Sequence, residues 1–384
     1  MQIVIDRQAL LTVLKRSAAA ITPNDMVSVR QCVLIDAADG VASSFAATNG
    51  QIDIIVSARA EVKQPGRAAL NHHRLSSLIN ELPDGYVEVT VDPKFRVSIR
   101  SSSSKRKFTM TALDPVDFPP LLALEAPPTL YSVEAKILLQ AAGEVSFAID
   151  SKAFQLPAGA LLSPTEDKFF EVAAVDGHVF AMAKGWFTER GSTEDCLLPK
   201  NFLDALRGVP KDHVIALSQG DNKIFATAPD MRVRCNQIQQ PFPVGLKRGM
   251  LQSVPTQRRF RVSSQALLES VSAVSTASEF VEGKDKYVQI DLTCTEGVVT
   301  LTTRKSESSS GEDELTVSES DLSSFKLHFN ATLMSLALKS FSPVEIDFYY
   351  AIVADRPMAF LKSETLIASV MLIDEIPSPP ARSK

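Results

Sequence analysis

No stretch of this 384-residue chain stays apolar long enough to cross a bilayer, and MQIVIDRQ at its start has neither a basic flank nor a signal-peptide core. A cytoplasmic protein with no membrane partner is the expectation. Cysteine is scarce: Cys32, Cys196, Cys235 and Cys294 form no C-x-x-C pair, which argues against a zinc site and a disulfide framework and for small buried side chains. A basic surplus is missing as well. With 40 Lys and Arg against 45 Asp and Glu, the net charge is −5, which at first sight opposes binding to duplex nucleic acid. Catalytic signatures are lacking too: there is no glycine-rich phosphate loop, no G-x-S-x-G elbow, no H-E-x-x-H and no metal-spaced set of carboxylates. Neither a catalytic set nor a cofactor is expected.

What the chain does have is internal repetition. Leu10 in DRQALLTVLKRS, Leu138 in VEAKILLQAAGEV and Leu267 in SSQALLESVSAV lie 128 and 129 residues apart. Leu75 in HHRLSSLINELP, Leu203 in KNFLDALRGVP and Leu333 in NATLMSLALKSF keep nearly the same beat, at 128 and 130 residues. A unit of that size holds its own core, so the chain reads as three copies of one domain rather than a solenoid. Apolar residues at helical spacing, Leu10, Val13 and Leu14 or Leu75, Leu78, Ile79 and Leu82, give each copy two short amphipathic helices. FRVSIR, KFTMTAL, YVEVTVD, VIALSQ, VQIDLTC and VVTLTT alternate as strands between Asp-Gly, Asn-Gly, Asp-Pro and Glu-Gly turns. The fold class is therefore α+β: three repeated domains, each with two helices packed on antiparallel sheets. The boundaries fall at 1–123, 130–246 and 257–375, with 376–384 a proline-rich, disordered tail. LEAPPTLY (124–131) and QQPFPVGLKRGMLQSVP (239–255) read as linkers, and RKSESSSGEDELTVSES (304–320), which includes the acidic Ser306–Ser320 stretch, as a mobile loop.

Few residues invite a chemical role. Asp176-Gly177-His178 offers an acid and a base, but its counterpart Asn49-Gly50-Gln51 has neither, so the shared requirement is turn geometry. His72 and His73 are adjacent on a helix and point apart, which suits a helix start better than a ligand pair. Lys105-Arg106-Lys107 serves equally as a phosphate contact or as a guard on an edge strand. Basic residues recur on the repeated helices at Arg7, Lys15, Arg16, Arg74, Lys136, Lys200, Arg207 and Lys339. A protein acidic elsewhere can still be basic along one surface, and solvated helix faces are the plain alternative.

In order and spacing these segments resemble the bacterial DNA sliding clamp, the beta subunit of DNA polymerase III, over nearly the whole chain. ALNHHRLSSLINELPDGYVEVTV followed by FTMTALDPVDFPPL looks like the family's first domain, and FFEVAAVDGHVFAMA resembles its A-T-D-G-H-R-L-A hairpin, with Val175 for the threonine and Val179 for the arginine. LLPKNFLDALRG, CNQIQQPFPV with Phe242-Pro243, and FNATLMSLALKSF resemble later segments. The resemblance implies a head-to-tail homodimer whose six domains close into a ring around duplex DNA. Twelve helices at about 10 Å each would line a circumference of roughly 120 Å, leaving about 38 Å between opposite helix axes. Six would be too tight for a hydrated duplex. Implied partners are double-stranded DNA, contacted without regard to sequence, a second copy of the chain, DNA polymerase, a clamp loader and other proteins with clamp-binding motifs.

By position, the resemblance turns the eight helix cations toward DNA. It assigns a partner-peptide pocket to Leu156, Val175, Gly177, His178, Val179, Phe180, Pro243, Lys247, Val370, Met371 and Leu372, and a dimer contact to Phe108 and Met110 against Val274 and Thr276. The family's chain end, M-P-x-R-L, is replaced here by MLIDEI, which puts Ile373 and Asp374 at the pocket wall. A different use of the same scaffold, an enzyme or small-ligand protein built on the Val175–Phe180 hairpin, is the alternative.

Overall fold

A computed structural model of the chain describes residues 1–38, 42–119, 126–149, 156–277, 287–303, 310–320 and 324–373. Its helices are α1 (Arg7–Ser17), α2 (His72–Asn80), α3 (Ala135–Val145), α4 (Lys200–Leu206), α5 (Val244–Gln252), α6 (Ser264–Thr276) and α7 (Ala331–Lys339). Six of the seven are those announced by the recurring leucines. Leu10, Leu138, Leu267, Leu75 and Leu203 are each the fourth residue of their helix and are buried. In α7 the equivalent place belongs to Met334, 1% exposed, and not to Leu333, which is half-buried. The repeat has slipped by one residue there.

The start of these helices is built the same way in several copies. A strand ends on a residue whose side chain accepts a backbone N–H of the first helical turn: Asp6 from Ala9, Asn71 from Arg74, Ser263 from Ala266 and Asn330 from Thr332. Such a cap satisfies one of the orphan donors of the helix and stabilises it by about 1 kcal/mol. Between α1 and α2, His72 Nε2 lies 2.8 Å from the carbonyl of Leu14, so the first histidine of the pair ties the two helices together.

The chain gathers into two compact units, Met1–Leu139 with Trp186–Ile238, and Gln140–Gly185 with Gln239–Lys384. The first holds a five-stranded antiparallel sheet in the order Glu61–Gln64, Gln2–Asp6, Tyr86–Val91, Arg96–Ser101, Lys107–Thr111. It also holds a nine-stranded sheet. Within that sheet Met231–Asn236 lies antiparallel to Ile52–Arg59, with Met231 opposite Val56 and Arg234 opposite Asp53, so the first and second thirds of the sequence share one ladder. The second unit repeats the device. Val179 to Ala183 pairs with Val370 to Leu366, and Leu366–Met371 continues through Arg356–Lys362 and Glu345–Val353 to Phe260–Ser263. A separate four-stranded sheet runs Glu312–Leu315, Val298–Thr303, Gln289–Thr295, Phe325–Asn330.

Two sequence expectations need correction. Residues 239–255, read as a linker, contain α5. The acidic stretch 304–320, read as a loop, contributes Glu312–Leu315 as a strand paired with Val299 to Thr302, where the alternating register outweighs the polar composition. Residues 304–309, part of the 124–131 segment, Asp374 and the tail 376–384 lie outside the described residues.

All four cysteines are buried. Burial pushes the Cys196 thiol up to about 12, helped by neighbouring Asp195 and Glu194, and pushes Cys32 and Cys235 up to about 11. Since the thiolate is the reactive species, the native protein at pH 8 should be silent toward a chromogenic disulfide reagent and report its thiols only in denaturant. A rapid native-state reaction of Cys32, Cys196 or Cys235 would contradict this burial. Among the described residues no helix is long and apolar enough to cross a membrane.

Candidate functional site

The strands Phe169–Val175 and Val179–Trp186 are joined by Asp176, Gly177 and His178. Gly177 takes φ +94°, a left-handed conformation that glycine adopts without cost, and Asp176 Oδ1 accepts the N–H groups of His178 and Val179, both at 2.9 Å. The twin turn is made alike: Gly50 has φ +83°, and Asn49 Oδ1 accepts from Gln51 and Ile52 at 3.0 Å. The acid of the Asp-Gly-His triplet is therefore occupied as a turn cap, as the comparison of the two copies predicted.

This hairpin tip forms one wall of an apolar cup within the second unit. The carbonyl of His178 accepts the N–H of Met371 at 2.8 Å, which brings the end of the last strand alongside. Helix α5 supplies Gly245, Leu246, Gly249 and Met250, and the hairpin from Val353 to Arg356 closes the far side. That hairpin turns on Ala354 and Asp355, at φ +48° and +62°, the two left-handed positions of a type I′ turn. Val175, Val179, Met358 and Met371 complete the lining of a cavity of about 540 Å³. This is within the size range of ligand sites, and the methionines give it an adaptable surface.

Of the pocket residues named from the sequence, Val175, Gly177, His178, Val179 and Met371 converge on the cup. Leu156 is adjacent, its Cδ1 3.8 Å from where a Cβ on Gly177 would stand. The others are placed elsewhere. Phe180 and Val370 are 1% and 0% exposed and belong to the core, because they alternate with the lining residues along their strands. Pro243 caps the start of α5. Lys247 is buried with its Nζ 3.1 Å from Glu171, so its charge anchors α5 to the strand Phe169–Val175 instead of facing the cup. Leu372 bridges to Phe329, and Ile373 donates to the carbonyl of His328.

The Lys247–Glu171 pair is the handle by which α5 is held. With side chains only 11% and 20% exposed, removing one partner strands the other, and Lys247→Met should lower stability by about 1–2 kcal/mol. A double-mutant cycle with Glu171→Leu, read by urea denaturation, should recover most of the loss; additive losses would show the pair to be uncoupled.

Behind the last strand lies a polar cluster that sequence reasoning missed. His328 Nδ1 is 2.7 Å from Asp291 Oδ1, with Lys326 Nζ at 3.2 Å from Oδ2 and Gln289 Nε2 at 3.1 Å. Burial alone would raise the Asp291 carboxyl, but the hydrogen bonds and charges of His328, Gln289 and Lys326 outweigh it and hold the group below its ordinary value of 3.8. A depressed folded-state pKa stabilises fully above the unfolded value, and the contribution fades as pH falls through the folded one. The stability gap between the wild type and Asp291→Asn should accordingly be widest near neutrality and shrink below about pH 4. Urea midpoints at several pH values check it; a gap independent of pH refutes it.

The helix cations divide into two groups. Arg7 is engaged internally, to Asp84 at 2.8 Å and to the carbonyls of Ile79 and Asn80 at 3.0 Å, closing the C-terminal end of α2. Arg16 pairs with Asp230 at 2.6 Å, and Lys200 and Arg207 share Asp204. Lys15, Arg74, Lys136 and Lys339 are exposed and make no ion pair among the described residues. In the first unit Lys15, Arg16 and Arg207 meet, with Lys211, around a cleft of about 470 Å³ between α1 and the end of α4. Lys211 was not anticipated. The close approach depends on Gly208, where a Cβ would stand 3.0 Å from Arg16 Cγ.

At the expected dimer contact, Phe108 is half-buried on Lys107–Thr111, the outermost strand of the five-stranded sheet, and Thr276 is exposed at the end of α6. Met110 and Val274, 6% and 3% exposed, face inward and serve the core. Among the described residues no three His, Cys, Asp or Glu side chains are grouped so as to hold a metal ion.

Paired helices recur at thirds of the chain, on antiparallel sheets that run from one third into the next, a fold shared with solved sliding clamps. Residues 1–123 match the family model described as DNA polymerase III beta subunit, N-terminal domain. A sliding clamp of Bacillus subtilis shares the fold over 98% of this chain and 100% of its own, with a TM-score of 0.84 at 16% sequence identity. The beta sliding clamp of Caulobacter vibrioides is 22% identical over 345 residues, 86% of this chain and 88% of that one. That of Halalkalibacterium halodurans is 24% identical over 250 residues, and the match spans 63% of each chain. The resemblance to the bacterial DNA sliding clamp seen in the sequence thus holds in family model, relatives and fold.

Proposed function

We propose that the chain is a DNA sliding clamp, a processivity factor without catalysis of its own, working in the cytoplasm. Three domains, 1–123, 130–246 and 257–375, from each of two copies arranged head to tail would close a ring around duplex DNA. The observation that carries this reading is the clamp fold shared over 98% of the chain at a TM-score of 0.84. A closed ring needs only weak, sequence-independent phosphate contacts, so an acidic chain can hold DNA through linkage. Lys15, Arg74, Lys136, Lys211 and Lys339, which make no ion pair among the described residues, are the cations available for those contacts. The outermost strand Lys107–Thr111, with Phe108, is the edge offered to the end of α6 in the partner, and two identical contacts of this kind close instead of polymerising. Polymerase and other clamp-binding proteins would dock a short segment in the apolar cup, and tethering then keeps a dissociated polymerase at high local concentration. A separate loader would open the ring.

Use of the hairpin as an enzyme site is disfavoured because the Asp176 carboxylate is occupied by two backbone N–H groups. The decisive test is the mass in solution across a dilution series, paired with retention on a nicked circular plasmid before and after linearisation. A dimer that remains on circles and leaves cut DNA is the expected result. A monomer, or retention that ignores linearisation, would refute the clamp reading.

A further inference from the structure

The repeat gives each helical position a counterpart one third of the chain further on, and around one cleft the counterparts differ in charge. Helices α1 and α3 are both eleven residues long, so Lys15 and Arg16 of α1 correspond to Gly143 and Glu144 of α3. The segments after α4 and α7 correspond as well. The carbonyl of His213 accepts the N–H of Ala135, which opens α3, and the carbonyl of Val344 accepts the N–H of Ser264, which opens α6. Lys211 and Ser342, each two residues before those carbonyls, are therefore equivalent, and so are Lys136 and Gln265, the second residues of the two helices.

In the first unit the cleft between α1 and the end of α4 is lined by Lys15, Arg16, Arg207 and Lys211 against the carboxylate of Asp204. Arg16 is held by Asp230, and Arg207 shares Asp204 with Lys200. Lys15 and Lys211 are exposed and make no ion pair among the described residues. Lys136, exposed and likewise without an ion pair among them, adjoins the same turn, its N–H donating to the carbonyl of Lys211 at 3.1 Å. The equivalent cleft of the second unit, about 420 Å³, has none of the three lysines. Its lining carries Glu144, Glu345 and Glu364 and, among the described residues, no cation. The turn that offers Asp230 to Arg16 returns there with Glu364 beside Glu144: Ser57 donates to the Asp230 carbonyl in one copy and Lys184 to that of Thr365 in the other.

We infer that the phosphates of the duplex are received principally by one lysine track, Lys15, Lys211 and Lys136 of the first unit, and that the equivalent acidic cleft of the second unit is kept off the backbone by its carboxylates. This rests on the reading of the chain as a sliding clamp, and adds which copy of the repeated cleft touches DNA and which refuses it. Each phosphate carries one negative charge, so lysines attract it where carboxylates repel it. Confining the grip to one cleft per chain keeps the contact weak and independent of base sequence, as motion along DNA requires.

The test uses the full chain and a short fluorescein-labelled linear duplex, with anisotropy read over a series of salt concentrations. In the plot of log affinity against log salt, Lys15→Gln, Lys136→Gln and Lys211→Gln should each flatten the slope by about 0.9, the share of one phosphate contact. Lys168→Gln removes the same charge from an exposed turn between the strands Gly159–Pro164 and Phe169–Val175, and should keep the wild-type slope. Grafting the track onto the second unit, Gly143→Lys with Ser342→Lys, should steepen the slope. A Cβ on Gly143 meets nothing within 4 Å, and the change raises the helix propensity of α3. Melting temperatures close to that of the wild type confirm that the variants are folded. Lysine variants that keep the wild-type slope, or a graft that does not steepen it, overturn the assignment of the track. So does a wild type retained on nicked circles with no measurable affinity for the short duplex, and in each of these cases the clamp reading stands. A wild type that neither binds the duplex nor stays on circles overturns both.

Discussion

Replacing Asp53 with alanine is expected to destabilise the protein by about 2–4 kcal/mol. Asp53 sits directly opposite Arg234 where the strand Ile52–Arg59 meets Met231–Asn236, and Arg234 Nε donates to its Oδ2 at 2.7 Å. Thr48 Oγ1 donates to the other carboxylate oxygen. The side chains are 13% and 19% exposed, so removing the acid leaves a guanidinium that water reaches poorly. The pair bridges segments 181 residues apart in sequence, and the loss falls on the ladder that unites the first and second thirds. Asp53→Asn keeps an acceptor and should cost roughly half as much, and Asp53→Ala with Arg234→Leu should regain most of the loss. Guanidinium denaturation reads all three; an Asp53→Ala variant within about 0.5 kcal/mol of the wild type would show the pair to be a solvated one.

Gly185→Ala should cost a similar amount, through overpacking. A Cβ built on Gly185 would lie 2.3 Å from Phe170 Cζ and 2.7 Å from Cε2, well inside any tolerated contact. Phe170 is 0% exposed, so its ring is enclosed and cannot turn out into solvent. Either the ring leaves its rotamer or the strand Val179–Trp186 shifts, at about 2–3 kcal/mol. The strand carries Val179 of the cup, so peptide binding should fall with stability. Gly185→Ala combined with Phe170→Leu should restore the melting temperature in large part. If the single variant melts like the wild type, the ring has room that this packing denies.

Much of the fold was legible because the signals were periodic. The leucines that open α1, α2, α3, α4 and α6 mark the fourth position of each helix, where burial is demanded by the sheet beneath, and the Asn-Gly and Asp-Gly tips demanded positive φ at Gly50 and Gly177. Helix α5 was not legible. Pro243, Gly245 and Gly249 lower its intrinsic propensity, and it is held by tertiary contacts, the Lys247–Glu171 pair and the burial of Met250 beside Met358, that no local window contains. The spacing of Leu246 and Met250 was the available trace. The Val353–Arg356 hairpin was hidden for a different reason: Ala354 and Asp355 adopt left-handed conformations without the glycine or asparagine that usually announces them. More than half of the cup therefore escaped the sequence, including Arg356. The cations show the reverse error, since residue type revealed positive charge at Arg7 and Arg16 but not that Asp84 and Asp230 had already claimed it.

The interleaved path of the chain bears on how the protein is made. The strand Ile52–Arg59 is translated early, yet its neighbour on one side, Met231–Asn236, leaves the ribosome some 180 residues later. Throughout that interval the nascent chain presents an open edge, with Ile52, Ile54 and Val56 on one face and free backbone groups ready to pair with any strand that arrives. A fragment ending at residue 123 would keep that edge permanently and should associate with itself rather than remain a monomer. During synthesis that edge stays without its native neighbour until residue 236 has emerged, so the first unit is open to edge-to-edge association through most of its birth.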